Sequence, residues 1–160
     1  MADKLVVEIA ISNLNTGPLP CRSKTLHQLA ERICAGEGCE GTLEISVLFC
    51  DDMYITMLNK KYRDKAEPTD VLSFPQDSAW VTEGAVKVLG DVVISMDTVC
   101  ARCYGKRIAM RQEVLLLFCH GVLHLLGYEH HTPSLAAEMN QRQADYLGLD
   151  LETAWRPVRN

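Results

Sequence analysis

The sequence predicts an α+β layer fold, and three observations predict it. Four β-branched or alternating apolar segments are interspersed with about five helical ones in a mixed order rather than a strict strand-helix alternation. One helical segment, about Arg107 to Leu126, is apolar nearly all round in its second half, the mark of a central buried helix. The 160 residues are 48% hydrophobic, enough for one proper core and too few for two of ordinary size, so residues 1–160 are expected to form a single domain.

Leu5 to Ile11 (LVVEIAI) is β-branched and apolar and reads as the first strand, followed by the break Gly17-Pro18-Leu19-Pro20. Leu26, Leu29, Ala30 and Ile33 then keep a 3.6-residue period up to Gly36, a helix with a glycine stop. From Leu43, the apolar residues Leu43, Ile45, Val47 and Phe49 alternate with Glu44 and Ser46, the period of a half-buried strand. Asp51-Asp52 offers an N-cap for a helix over Met53 to Lys61, with Met53, Met57 and Leu58 expected inward as core.

Pro68-Thr69 breaks the chain before a short strand, Val71 to Phe74, closed by Pro75. Gln76 to Val86 has no period and is expected to be a mobile surface loop, and Lys87 to Ser95 is the fourth strand. Asp97 can start a helix toward Gly105, ahead of the central one. Thr132-Pro133, an N-cap followed by proline at the first helical position, opens a last helix through Leu147 with Gly148 as its stop. The tail from Asp150 to Asn160 commits to no element.

Composition excludes several classes. The N-terminus lacks the basic region and apolar core of a secretory signal, and no uninterrupted apolar run approaches a membrane span, so a cytoplasmic protein without membrane partners is expected. Seven cysteines form an odd set without framework spacing and read as free thiols filling small apolar sites. Cys100 and Cys103 have CxxC spacing but no second CxxC to complete a metal knuckle. A net charge of −5 argues against a general nucleic-acid coat protein, and no DNA partner is expected. Yet eight of the sixteen basic residues fall in 59–65 (Lys60, Lys61, Arg63, Lys65) and 102–111 (Arg102, Lys106, Arg107, Arg111). These are either two solvated helix faces or, if both segments border one site, a phosphate-binding rim.

The most informative stretch is His120-Gly121-Val122-Leu123-His124-Leu125-Leu126-Gly127-Tyr128-Glu129-His130. Four of the five histidines lie between positions 120 and 131, and two of them sit inside the apolar run Val114 to Leu126, where an unpartnered imidazole costs free energy to bury. Residues i and i+4 of a helix share a face, so His120 and His124 can both reach one small cation. Gly127 can reverse the chain, because glycine takes the left-handed conformation at a helix C-terminus without steric cost. A third imidazole, from His130 or His131, then completes a three-nitrogen site with a fourth position open, the arrangement of catalytic rather than structural zinc. Imidazole alone also suits copper, iron and nickel.

The same stretch resembles HGxLHLxGYDH, the signature of the YbeY family of metal-dependent endoribonucleases, and departs from it at Glu129, where the family usually has aspartate. Two further segments resemble the family: Asn59-Lys60-Lys61-Tyr62-Arg63 with Pro68-Thr69-Asp70-Val71-Leu72-Ser73-Phe74-Pro75, and Leu89-Gly90-Asp91-Val92-Val93-Ile94-Ser95. Together these cover about residues 43–145. The resemblance implies a mixed four-stranded sheet with a central zinc-carrying helix, similar to zinc proteases, and one zinc ion per chain on His120, His124 and His130. It implies a functional role for Arg63, while Asp70 stands where some relatives carry asparagine. It further implies single-strand-specific cleavage of ribosomal RNA, including maturation of the 16S 3′ end, ribosome quality control, and the small ribosomal subunit as partner.

Chemically, such a zinc acts as a Lewis acid on a phosphoryl oxygen and lowers the pKa of water from 15.7 toward about 7. The guanidinium of Arg63 suits a phosphate through two parallel hydrogen bonds, with Lys60, Lys61 and Lys65 holding flanking phosphates. Water and the RNA 2′-OH are both open as nucleophile. Two rivals remain at this level. A zinc protease of the HExxH kind would need a base in place of Gly121, from Glu129 or Glu113. A non-catalytic, metal-stabilised ribosome-binding module would use the zinc for folding and Arg63 for docking.

Overall fold

The strand and helix periods resolve into the order β1 (Val6–Asn13), α1 (Ser23–Gly36), β2 (Thr42–Cys50), α2 (Asp52–Arg63), β3 (Val71–Pro75), β4 (Lys87–Ser95), α3 (Met96–Arg102), α4 (Arg107–Leu125), α5 (Pro133–Leu147) and α6 (Leu151–Ala154). The structure, a computed structural model, describes residues 4–77, 82 and 84–155, so much of the expected loop at 76–86 and the end of the tail lie outside the described residues. The four strands form one mixed sheet in the order β1-β2-β4-β3. β1 pairs parallel with β2 and β2 parallel with β4, while β3 is antiparallel to β4. This is the α+β fold with a mixed four-stranded sheet and a central histidine-bearing helix, with six helices among the described residues rather than five. The sixth lies in the uncommitted tail, where the Asp150 side chain accepts a hydrogen bond from the Thr153 N–H.

Alternation along β2 sends Leu43, Ile45, Val47 and Phe49 into the main core, where α1 contributes Leu26, Leu29, Ala30 and Ile33 and α4 contributes Val114, Leu117, Phe118 and Val122. The opposite face carries a smaller cluster of Cys50, Ile55, Leu72 and Val93 under α2. α4, 19 residues long, is the one helix among the described residues long and apolar enough to cross a membrane, and most of it is buried inside the protein. Its apolar surface is taken up by the sheet and by α1 and α5.

The expected inward face of α2 is corrected. Met53 and Met57 are 80% and 54% exposed, whereas Ile55 and Asn59 are buried and Leu58 packs against them. The inner stripe therefore runs i, i+3, i+4 from Ile55 and contains a polar member. Asn59 earns its burial by donating from Nδ2 to the Glu67 carbonyl at 2.9 Å, which ties down the turn after α2. Among the described residues the cysteines form no disulfide. Burial pushes the thiols of Cys34, Cys50 and Cys119 up to about 12, which suits packing rather than nucleophilic use.

Candidate metal centre

His120 and His124 occupy the last turns of α4, and this end of the helix lies directly on the sheet. A side chain at Gly121 would bring its Cβ to 2.6 Å from Val92 Cγ1 and 3.3 Å from Ser73 Oγ. The glycine is thus a condition of close packing, and it leaves no space for the glutamate that an HExxH peptidase carries at that position. After α4 the chain turns at Gly127 (φ 98°), with the Gly127 N–H donating to the His124 carbonyl and the Tyr128 N–H to the Leu123 carbonyl, both at 3.0 Å. The reversal brings His130 over the helix end. One ligand atom from each of His120, His124 and His130 lies within 4.8 Å of the others. His131 is exposed and outside the group.

Hydrogen bonds fix which ring nitrogen each helical histidine presents. His120 Nδ1 lies 2.7 Å from Gln143 Oε1, and His124 Nδ1 lies 2.7 Å from the Tyr128 carbonyl. Both partners accept only, so both Nδ1 atoms carry the proton and both Nε2 atoms carry a lone pair. Those two Nε2 atoms are 3.0 Å apart. Two lone pairs facing each other repel unless a proton or cation lies between them. Nitrogens held 2.0–2.1 Å from a tetrahedral zinc stand about 3.3–3.4 Å apart, close to this spacing. Burial, then the neighbouring His124, push the His120 imidazole down to about 3, and burial and His130 lower His124. The pair is thereby kept in the neutral form that ligates.

The histidines open into a pocket of about 290 Å³ shared with Arg63, Val71, Ser73, Pro75 and Glu129. Arg63, at the C-terminal end of α2, adds its positive charge to the lowering of both helical histidines, although it lies 57 positions from the first of them. Among the described residues it forms no salt bridge with Asp64 or Glu67, as it would if its role were to order the loop after α2. Lys60, Lys61 and Lys65 are exposed and do not line the pocket. Glu129 approaches His124 Nδ1 at 4.0 Å from the rim.

The second basic segment does not join the site. Arg107 and Arg111 precede His120 along α4, and at 1.5 Å per residue even Arg111 is about 13 Å away along the axis. Arg102 is not a phosphate ligand at all. It pairs with Asp70 at 3.0 Å and with Glu113, both carboxylates being nearly fully buried. Asp70 also accepts from the Val71 N–H at 2.8 Å, so this triad anchors the entry to β3. It also removes Glu113 as a candidate base.

Three supporting residues escaped sequence reasoning. Gln143 is buried on α5, with its Nε2 donating to the Ala154 carbonyl at 2.7 Å. The next residue, Trp155, sets its ring edge-to-face at 5.7 Å from His130 and 6.1 Å from His120. Glu37, at the end of α1, accepts from the hydroxyls of Tyr128 (2.8 Å) and Tyr146 (2.6 Å), pinning the segment whose carbonyl orients His124. Gln143 alone carried a signal, as a polar residue on the face of α5 that buries Met139, Ala144 and Tyr146.

The sequence matches the family described as Endoribonuclease YbeY over residues 13–149. Relatives named Endoribonuclease YbeY include one from Moorella thermoacetica, 41% identical over 131 residues (77% of this chain, 83% of the relative). Another, from Aquifex aeolicus, is 48% identical over 88 residues (55% and 57%). The solution structure of TM1509 from Thermotoga maritima aligns over 92% of this chain and 89% of that one, with a TM-score of 0.52 and 27% identity.

Proposed function

This chain belongs to the YbeY endoribonuclease family, and from that premise we propose that it is a zinc-dependent, single-strand-specific endoribonuclease of ribosomal RNA. The proposal extends to maturation of the 16S 3′ end, ribosome quality control and the small ribosomal subunit as partner. The observation that carries the chemistry is the pair of Nε2 atoms aimed at one point, with His130 completing the set and Arg63 on the wall of the same pocket.

His120, His124 and His130 would hold one zinc ion. When bound, it supplies Lewis acidity toward a phosphoryl oxygen and acidifies water near neutral pH. The chain's own residues do the rest. Gln143 and the Tyr128 carbonyl hold the two helical imidazoles in the ligating tautomer. Arg63 binds two non-bridging phosphate oxygens in a fork and stabilises the charge that develops on them. Lys60, Lys61 and Lys65, outside the pocket, hold flanking phosphates. Trp155 and the wall formed by Val71 and Pro75 limit water around the reacting phosphate.

Elemental analysis and RNA cleavage by wild type and His124→Ala test this reading. Wild type should hold one zinc and cleave, and the variant should do neither. A variant that keeps one tightly held zinc removes the ligand assignment. Chelation separates enzyme from binding module: the chelated chain should stay folded and lose cleavage, whereas a module built on its zinc would unfold.

A further inference from the structure

Tyr62 lies between the cation that lines the pocket and those that do not, and nothing in the metal chemistry uses it. The residue is 57% exposed, yet its ring is held in place, edge-to-face with Phe74 at 5.0 Å between centroids. Each member of this pair adjoins the pocket in sequence. Tyr62 precedes Arg63 on α2, and Phe74 lies between Ser73 and Pro75 on β3, all three neighbours being pocket residues. Side chains alternate along a strand, so Phe74 points away from the pocket while its neighbours line it. The aromatic pair therefore lies on the α2 side of the sheet, each ring one residue along the chain from pocket-lining positions. Lys61 Nζ sits 5.1 Å from the Tyr62 centroid, marking a ring face that an exposed cationic side chain occupies. Lys60, Lys61, Arg63 and Lys65 all lie within three positions of Tyr62 along the chain, and the salt bridges among the described residues involve none of them.

We propose that Tyr62, braced by Phe74, is a stacking platform for one nucleobase of single-stranded RNA, next to the phosphate gripped by Arg63. The inference rests on the endoribonuclease reading and adds a base-binding subsite to it. An exposed aromatic ring among cations is the combination by which proteins hold single strands without reading sequence. The base takes the face that Lys61 now covers, and the Lys61 ammonium moves to the adjoining phosphate. Stacking, unlike ion pairing, releases no counterions, so its loss weakens affinity without changing the salt dependence.

The test is fluorescence anisotropy of the full-length, zinc-loaded protein with a labelled, unstructured 2′-O-methyl RNA of about 12 nucleotides, within the usual range of single-strand sites. Wild type, Tyr62→Phe and Tyr62→Leu are titrated across salt, with zinc content and melting temperature checked for each. Tyr62→Phe should bind as wild type. Tyr62→Leu, which keeps an apolar cover over Phe74, should lose about 5-fold to 150-fold in affinity, the value of one base stack, with an unchanged slope of log affinity against log salt. A single abasic nucleotide walked along the RNA should weaken wild type at one position and leave Tyr62→Leu unaffected there. Wild-type affinity in Tyr62→Leu, or a changed salt slope, overturns the platform while leaving the nuclease reading intact. Failure of the wild-type protein to bind the RNA at all overturns both.

Discussion

Replacing Gln143 should loosen the metal centre without touching a ligand. The Gln143 amide makes two buried hydrogen bonds of 2.7 Å, accepting from His120 Nδ1 and donating to the Ala154 carbonyl. Gln143→Leu fills nearly the same space and leaves both partners unpaired in a region from which water is excluded. Each unpaired buried group costs about 1–3 kcal/mol, so folding weakens by roughly 2–6 kcal/mol, less what the leucine gains by its own burial. At about 2–4 °C per kcal/mol for a chain of this size, the metal-free melting temperature should fall by at least about 4 °C before that gain is counted. Zinc affinity has a separate cause. Losing the acceptor that fixes a ligating imidazole typically costs about 10-fold to 100-fold.

Gln143→Glu separates the two effects. Its carboxylate still accepts from His120 Nδ1 but faces the Ala154 carbonyl with no donor, so stability falls while zinc affinity stays near wild type. Competition against a chelator of known zinc affinity reads the metal term, and urea titration of the chelated protein reads the folding term. Zinc affinity of Gln143→Leu indistinguishable from wild type would refute the orienting role. Equal weakening in both variants would show that the amide acts through packing alone.

Acid should destabilise the metal-free protein through His120. Its folded pKa of about 3 lies below the unfolded 6.5, so its contribution is complete above pH 6.5 and is lost as pH falls toward 3, at about 1.4 kcal/mol per pH unit. Between pH 7 and 5 that is about 2 kcal/mol in a urea titration, and a His120→Leu variant that loses as much as wild type would refute the assignment. Gly121→Ala forces a Cβ to 2.6 Å from Val92 Cγ1 and should cost about 1–3 kcal/mol by thermal melting; an unchanged melting temperature would mean that α4 can lift off the sheet freely. Arg63→Lys keeps the charge and loses the fork, so single-turnover RNA cleavage should slow by about 10²–10³ with zinc content unchanged. Equal rates would remove Arg63 from the chemistry.

What could be read from the sequence is what lies within a turn or a strand of itself. Thr132-Pro133 and Gly148 bound α5 where they should, since capping and left-handed stops are decided by adjacent residues. The histidines were legible for the same reason, as Gly127 folds their segment back on its own helix. α2 shows the limit. Apolar spacing around Met53, Met57 and Leu58 fits a helix face as well as Ile55, Leu58 and Asn59 does. Only the sheet opposite, and the carbonyl waiting for the Asn59 amide, decide which face turns inward. Charge misled likewise at Arg102, whose balancing acids lie 32 and 11 positions away. The metal centre is divided along the same line. Its three candidate ligands and the Tyr128 carbonyl that orients His124 fall within one short segment, but the amide that orients His120 comes from α5, with Gln143 lying 23 positions away, and the carboxylate that pins Tyr128 follows α1, with Glu37 lying 91 positions away. Local pattern can announce that a cation is wanted, because an apolar run with two imidazoles needs a partner for them. It cannot announce everything that holds those imidazoles still, because the group on the other nitrogen is a local carbonyl at His124 but an amide delivered from a distant helix at His120.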